Sequence, residues 1–214
     1  MGKYTAQEKF WRGTFGNEYI KRNTLIKSKD LNAFYKKYLG VSRLAMNKTF
    51  LTGLEINSIL EIGCNIGNQL AMLQSQRYKN LYGIEINEQA IETAKKYTKN
   101  INIIYGSGFD IPFKDSYFDL VFTAGVLIHI HPKDIKNFMK EIYRVSRKYI
   151  WGYEYYAPTH QEIIYRGHRN RHWKGNFAKM YRKLFPNLSL VKEVHYPRRE
   201  DKNLIDAMFL LKKS

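Results

Sequence analysis

Residues 58–76 read Ser-Ile-Leu-Glu-Ile-Gly-Cys-Asn-Ile-Gly-Asn-Gln-Leu-Ala-Met-Leu-Gln-Ser-Gln. The first six form a short apolar run that suits a buried strand. Two glycines then punctuate the chain, and 68–76 has helical spacing. The same grammar repeats outward. Residues 80–86 and 101–106 read as strands on either side of a helix over 87–98, with Asn87 as its N-cap. Residues 118–125 read as a fourth strand, 132–146 as a helix with Pro132 in its first turn, and 148–156 as a fifth strand. Strands alternating with helices predict a mostly parallel, doubly wound sheet of the Rossmann type, covered on both faces. Residues 189–197 and 204–212 read as two more strands forming a C-terminal antiparallel hairpin. Upstream, 4–23 reads as a short helix and a loop. Residues 30–48 read as a helix with Asp30 as N-cap, which Gly40 breaks or ends.

The glycine turn is where chemistry enters. In Glu61-Ile62-Gly63-Cys64-Asn65-Ile66-Gly67-Asn68 the glycines let the backbone turn tightly and approach a ligand. The spacing resembles motif I of class I S-adenosylmethionine-dependent methyltransferases, with Asn65 at the middle glycine; Asn is the non-glycine residue that best tolerates the left-handed conformation. Glu85 ends the second strand 18 residues after Gly67, where an acid can accept ribose hydroxyls. Gly106-Ser107-Gly108-Phe109-Asp110-Ile111-Pro112-Phe113 resembles the loop of that class whose first polar residue meets adenine, which gives Ser107 that role and lets Phe109 or Ile111 cover the ring. The resemblance implies S-adenosylmethionine as cofactor. Its contact set would be Tyr19, Arg22, Glu61, Gly63, Asn65, Gly67, Asn68, Glu85, Ile86, Ser107, Gly108, Phe109, Thr123 and Gly125.

Composition narrows the partners. The chain has 214 residues, and 44% of them are hydrophobic, enough for one domain with a true core. Its apolar runs are too short to span a bilayer, and the N-terminus lacks an apolar leader, so a cytoplasmic protein is expected. One cysteine, Cys64, excludes a disulfide framework and a multi-cysteine zinc site. Net charge is +17, distributed as +7 over residues 1–57, +2 over 58–156 and +8 over 157–214. The predicted cofactor core is therefore nearly neutral between two basic flanks, a distribution that seeks an anion. An anionic small molecule fits best. A nucleic acid is the alternative, although no base-flipping string or RNA-binding module accompanies the charge.

Strings outside the core resemble a narrower group. Phe10-Trp11-Arg12-Gly13-Thr14-Phe15-Gly16-Asn17-Glu18-Tyr19-Ile20-Lys21-Arg22-Asn23, Glu154-Tyr155-Tyr156 with Pro158-Thr159, and Tyr165-Arg166-Gly167-His168 are similar to signatures of the pseudaminic acid biosynthesis-associated methylases. The likeness covers about residues 8–180 and departs at Lys174-Gly175-Asn176-Phe177, where Lys-Arg-Asp-Phe is expected. It implies a sugar acid or nucleotide sugar as acceptor. The expected organisation is one methyltransferase domain over 1–214: a helical lid over 1–50, a cofactor core over 55–156, and a substrate-side insertion with the hairpin over 157–214. Residues 10–23 would close over the cofactor.

For acid–base work the candidates are His129, just past the fourth strand, and Glu154, at the end of the fifth. Tyr155, Tyr156 and Tyr165 offer ring faces to an acceptor, Arg166 a planar fork, and His168 a hydrogen bond. His168 and His172 lie four apart without further ligands at metal spacing, so they read as a solvated or substrate-facing pair, and no metal is expected.

Overall fold

Strand β1 (Ile59–Ile62) is buried along its whole length, and its side chains divide between two cores. Leu60 and Ile62 face one, with Val121, Phe138 and Ile142; Ile59 faces the other, with Leu120, Phe122, Trp151 and Leu70. A strand buried on both sides is what a continuous apolar run specifies. This computed structural model describes residues 4–23 and 28–214.

Around β1 the chain alternates as expected. Helix α5 (Asn68–Ser75) leads to β2 (Leu81–Glu85), α6 (Glu88–Tyr97) to β3 (Ile101–Tyr105), and β4 (Phe118–Ala124) through α7 (Ile135–Val145) to β5 (Ser146–Tyr156). The last two strands, β8 (Leu188–Pro197) and β9 (Ile205–Lys213), complete a seven-stranded sheet of order β3-β2-β1-β4-β5-β9-β8. The first five strands pair in parallel, whereas β9 pairs antiparallel with both β5 and β8. The fold is the mostly parallel Rossmann-like sheet with a C-terminal antiparallel hairpin. Between β5 and β8 lie a two-stranded ribbon, β6 (Gln161–Glu162) with β7 (Trp173–Lys174), and helix α8 (Phe177–Leu184).

Three local readings are corrected. The stretch 4–23 holds two helices, α1 (Ala6–Arg12) and α2 (Thr14–Arg22), in place of one helix and a loop. Thr5 and Glu8 form a reciprocal capping box at the start of α1, a signal already present in the sequence as Thr-x-x-Glu. The stretch 30–48 breaks at Gly40 as expected, where φ is +81°, into α3 (Ser28–Leu39) and α4 (Arg43–Leu51). Asp30 lies inside the first turn of α3 and is not its N-cap; Ser42 caps α4. Helix α7 starts at Ile135, so Pro132 precedes it. Helix α8 is amphipathic, burying Phe177, Ala178 and Tyr181. Asn176 caps it by accepting from the Lys179 N–H at 2.9 Å, a task an Asp performs equally well, which accounts structurally for that departure from the expected string.

The loop after β3 is held to α7 by a pair of side chains, Arg144 and Glu141. Arg144 donates to the carbonyls of Ile111 and Phe113, each at 2.8 Å, and pairs with Glu141 and Asp115. Glu141 in turn accepts from the Ile111 N–H at 2.9 Å. Arg144→Met keeps the aliphatic stem and removes both carbonyl contacts. It should cost roughly 2 kcal/mol, lowering Tm by roughly 4–8 °C. Calorimetry showing an unchanged Tm would assign the loop's order to the Phe113–Phe118 packing instead.

Candidate functional site

The carboxyl edge of the parallel strands carries the site. Gly63, Asn65 and Gly67 all adopt left-handed φ values of 69°, 49° and 79°. Asn65 therefore takes the conformation its place in the glycine string demands, and its Oδ1 accepts from the Ile66 N–H. Opposite the turn, Glu85 accepts from the N–H groups of Asn65, Ile86 and Asn87 at 2.7, 2.7 and 2.8 Å. Burial raises its pKa, and these three donors oppose the shift. A carboxylate has about four lone-pair sites, so Glu85 retains one on Oε2.

A cavity of about 150 Å³ opens here, lined by Gly63, Asn65, Glu85, Ile86, Ser107, Gly108 and Phe109 from the sheet edge, and by Gln7, Glu8, Trp11, Gly16 and Tyr19 from α1 and α2. A second cavity of about 400 Å³ adjoins it and shares Tyr19, Gly63, Asn65, Gly125 and His129. Its further lining includes Glu61, Asn68, Tyr155, Tyr165, His172, Arg198 and Asp206. Helices α1 and α2 lie over the smaller cavity, held by Asn87, whose Nδ2 donates to the Trp11 carbonyl and to Asn17 Oδ1. Glu8 reaches from α1 to the Ser107 hydroxyl at 2.5 Å, and Ser107 Oγ also accepts from the Phe109 N–H. The Ser107 hydroxyl, expected to meet adenine, here donates to Glu8 of α1.

Several expected site residues lie elsewhere. Gly67 lines neither cavity; it forms the left-handed N-cap of α5. Arg22 is on the outer side of α2, paired with Glu18 at 3.5 Å. Thr123 is buried beside Glu154. Glu154 itself points away from both cavities. Its oxygens accept from the N–H groups of Val126 and Ile128, so it pins the turn after β4 and leaves no base for an acceptor. Burial raises its pKa to about 7. Tyr156 stacks on His195 at 4.0 Å, on the opposite face of β5 from Tyr155. Arg166 and Gly167 form the left-handed tip of an exposed turn bridged by Tyr165 and His168. Arg166 therefore aims no fork into the site, and His168 packs on Phe10 and Phe15 of the lid.

His129 lines both cavities. Its Nδ1 lies 3.0 Å from the Arg171 carbonyl, which can only accept, so Nδ1 carries the proton and Nε2 presents a lone pair. Burial lowers its pKa to about 4, so the ring is neutral at physiological pH. His172, four residues after His168, is fully buried instead of solvated. It stacks among His129, Tyr155 and Tyr165 at 4.7–4.9 Å, and neither ring nitrogen has a partner. Burial, with the His129 ring beside it, lowers its pKa to about 3. Arg198 and Asp206 were not foreseen, because only the folding-back of the hairpin places them here. Among the described residues, no group of three or more His, Cys, Asp or Glu side chains is placed to hold a metal, and no helix is long and apolar enough to cross a membrane.

Residues 60–149 match the family model described as a methyltransferase domain. A sterol 24-C-methyltransferase of Pneumocystis carinii is 26% identical over 127 residues, covering 52% of this chain and 33% of that protein. The chain thus spans about a third of the length of that curated relative. The structure superposes on Burkholderia thailandensis 1,6-didemethyltoxoflavin-N1-methyltransferase, solved with 1,6-didemethyltoxoflavin and S-adenosylhomocysteine, with a TM-score of 0.70, 13% identity and coverage of 100% of this chain and 93% of that one. It also superposes on magnesium protoporphyrin IX methyltransferase of Synechocystis PCC 6803 with bound S-adenosylmethionine, with a TM-score of 0.68, 14% identity and full coverage of both chains. The chain carries a methyltransferase-domain match over its central strands and has, along its whole length, the class I methyltransferase fold.

Proposed function

We propose that this protein is an S-adenosylmethionine-dependent methyltransferase acting on a small anionic acceptor, a sugar acid or nucleotide sugar. The observation that carries the reading is the left-handed Gly63–Asn65 turn, hydrogen-bonded to Glu85 in the wall of a cavity that α1 and α2 cover. The site chemistry suits the cofactor. Gly63 borders both cavities, and a Cβ there would lie 2.7 Å from Val126. Glu61 Oε2 is buried beside the larger cavity without a partner, an orphan that the ammonium of a methionine moiety satisfies. Glu85 Oε2 keeps one position for a ribose hydroxyl. Bound S-adenosylmethionine supplies a methyl group on a sulfonium, and transfer from it needs alignment and exclusion of water.

The chain's own residues meet those needs. Helices α1 and α2 act as the lid, with Trp11 and Tyr19 excluding water from the smaller cavity. His129, neutral and with Nε2 unencumbered, orients an acceptor hydroxyl at the junction of the cavities. The choice of an anionic acceptor is supported by the basic flanks, +7 and +8, on either side of the nearly neutral core.

Calorimetry should detect S-adenosylhomocysteine binding to the purified protein. Glu85→Ala should weaken it at least tenfold, since a hydrogen bond to a charged group contributes roughly 1.5–3 kcal/mol. Unchanged affinity would remove Glu85 from the cofactor site. Mass spectrometry of labelled methyl transfer over sugar acids, nucleotide sugars and RNA tests the acceptor, and transfer to RNA alone would overturn the small-molecule reading.

The neutral imidazole has a measurable signature. His129 titrates near 6.5 when unfolded and near 4 when folded, so below pH 6.5 the unfolded chain binds the extra proton. Its contribution is complete above pH 6.5 and is lost as pH falls toward 4, on the order of 3 kcal/mol. In urea titrations at pH 7.5, 5.5 and 4.5, His129→Gln should lose less stability across this window than the parent. Equal losses would mean that the buried ring is protonated.

A further inference from the structure

The larger cavity holds side chains that the cofactor reading leaves unused. His172 lines it with 1% of its surface exposed and both ring nitrogens unpartnered. Leaving a buried polar atom unsatisfied costs about 1–3 kcal/mol, and such groups persist where a ligand completes them. Arg198, from the end of the C-terminal hairpin, enters the same cavity already immobilised. Its Nε and Nη2 donate to Asp206 at 3.2 and 3.1 Å, and its guanidinium lies 4.4 Å from the centre of the Tyr155 ring. The Asp206 carboxylate is 2% exposed and acts as the orienting partner. Asp206 holds its Nε–Nη2 edge and Tyr155 one face, which leaves Nη1 as the donor available to a ligand of this cavity.

Charge bookkeeping selects the ligand. Among the described residues lining this cavity, Arg198 is the one cation, beside the acids Glu61 and Asp206. The chain's basic surplus thus stays outside the chamber. A dianionic phosphate, or the diphosphate of a nucleotide sugar, would exceed the one cation here; a single carboxylate matches the guanidinium hydrogens on Nη1 and the outer side of Nη2 that Asp206 leaves unused. Rings of Tyr155, Tyr165 and His172 stand beside it, suited to the apolar face of a sugar ring.

Resting on the methyltransferase reading above, we propose that Arg198 and His172 form the acceptor subsite of that reaction, Arg198 receiving a carboxylate and His172 accepting a hydrogen bond from a neighbouring hydroxyl of a free sugar acid. Arg198 thereby takes the task that the sequence suggested for Arg166, and nucleotide-linked sugars drop out of the acceptor class.

The test uses protein saturated with S-adenosylhomocysteine and titrates N-acetylneuraminate, its methyl ester and N-acetylmannosamine 6-phosphate in a calorimeter. The acid should bind, with the ester and the phosphate each at least tenfold weaker. Arg198→Lys keeps the charge but not the fork and should weaken the acid at least tenfold. His172→Phe should weaken it at least fivefold, with His172→Gln recovering part of the loss. Affinity for S-adenosylhomocysteine within twofold of the parent shows that each variant is folded and loaded. Equal binding of acid and ester, tighter binding of the phosphate, parental affinity in Arg198→Lys, or no binding of the acid to the loaded protein would each overturn the subsite. Failure of S-adenosylhomocysteine to bind the parent would instead overturn the methyltransferase reading itself.

Discussion

One amide side chain holds the lid, the second strand and a helix in register. Asn87 is 3% exposed, and its Oδ1 caps α6 through the Ala90 N–H, while its Nδ2 serves both Trp11 and Asn17. Its own backbone N–H goes to Glu85, so the residue that secures the lid also braces the acid beneath it. Gly16 makes the approach possible. A Cβ there would sit 1.8 Å from the Trp11 carbonyl oxygen and 2.8 Å from Asn87 Nδ2. A strand tip, a helix start and a helix pair thereby share one hydrogen-bonding centre, whose loss would leave several buried groups unpaired at once.

Four acids are buried along this edge, and the structure compensates each differently. Glu85 and Glu154 are surrounded by backbone N–H groups, Asp206 by the Arg198 fork, and Glu61 is left with an unpaired oxygen and the Arg43 charge nearby. Burial lifts the pKa of all four. The compensated acids build the walls. The uncompensated groups Glu61, Gln69 and His172 all border the larger cavity.

What could be read from the sequence follows the range of the interactions. Gly63, Asn65, Gly67 and Glu85 belong to one strand–turn–helix–strand unit, so spacing alone places them. The alternation of apolar runs with helical stretches likewise makes the first five strands and their parallel pairing legible, while their order across the sheet is set by the fold. Thr5 and Glu8 were legible as a capping box, but nothing local connects Glu8 to Ser107, 99 residues away. Arg198 and Asp206 arrive only when β9 pairs with β5, and Glu154 turns away because alternate residues of β5 face opposite sides of the sheet. The string Tyr165–His168 drew attention to Arg166. The fold makes it a turn tip, and the buried partner is His172, just downstream.

The lid's fastening has a kinetic consequence. Whatever occupies the smaller cavity lies beneath α1 and α2, and these are tied down at both ends of the site, by Asn87 near β2 and by Glu8 near the loop after β3. A ligand cannot leave past the helices until contacts on opposite sides of the opening break together. The Glu8 contact is also coupled to the α1 capping box, since its other oxygen holds the Thr5 N–H. Opening of that cavity past the helices is therefore coupled to the fraying of a seven-residue helix, α1, at whose start one carboxylate holds both the cap and the far side of the opening.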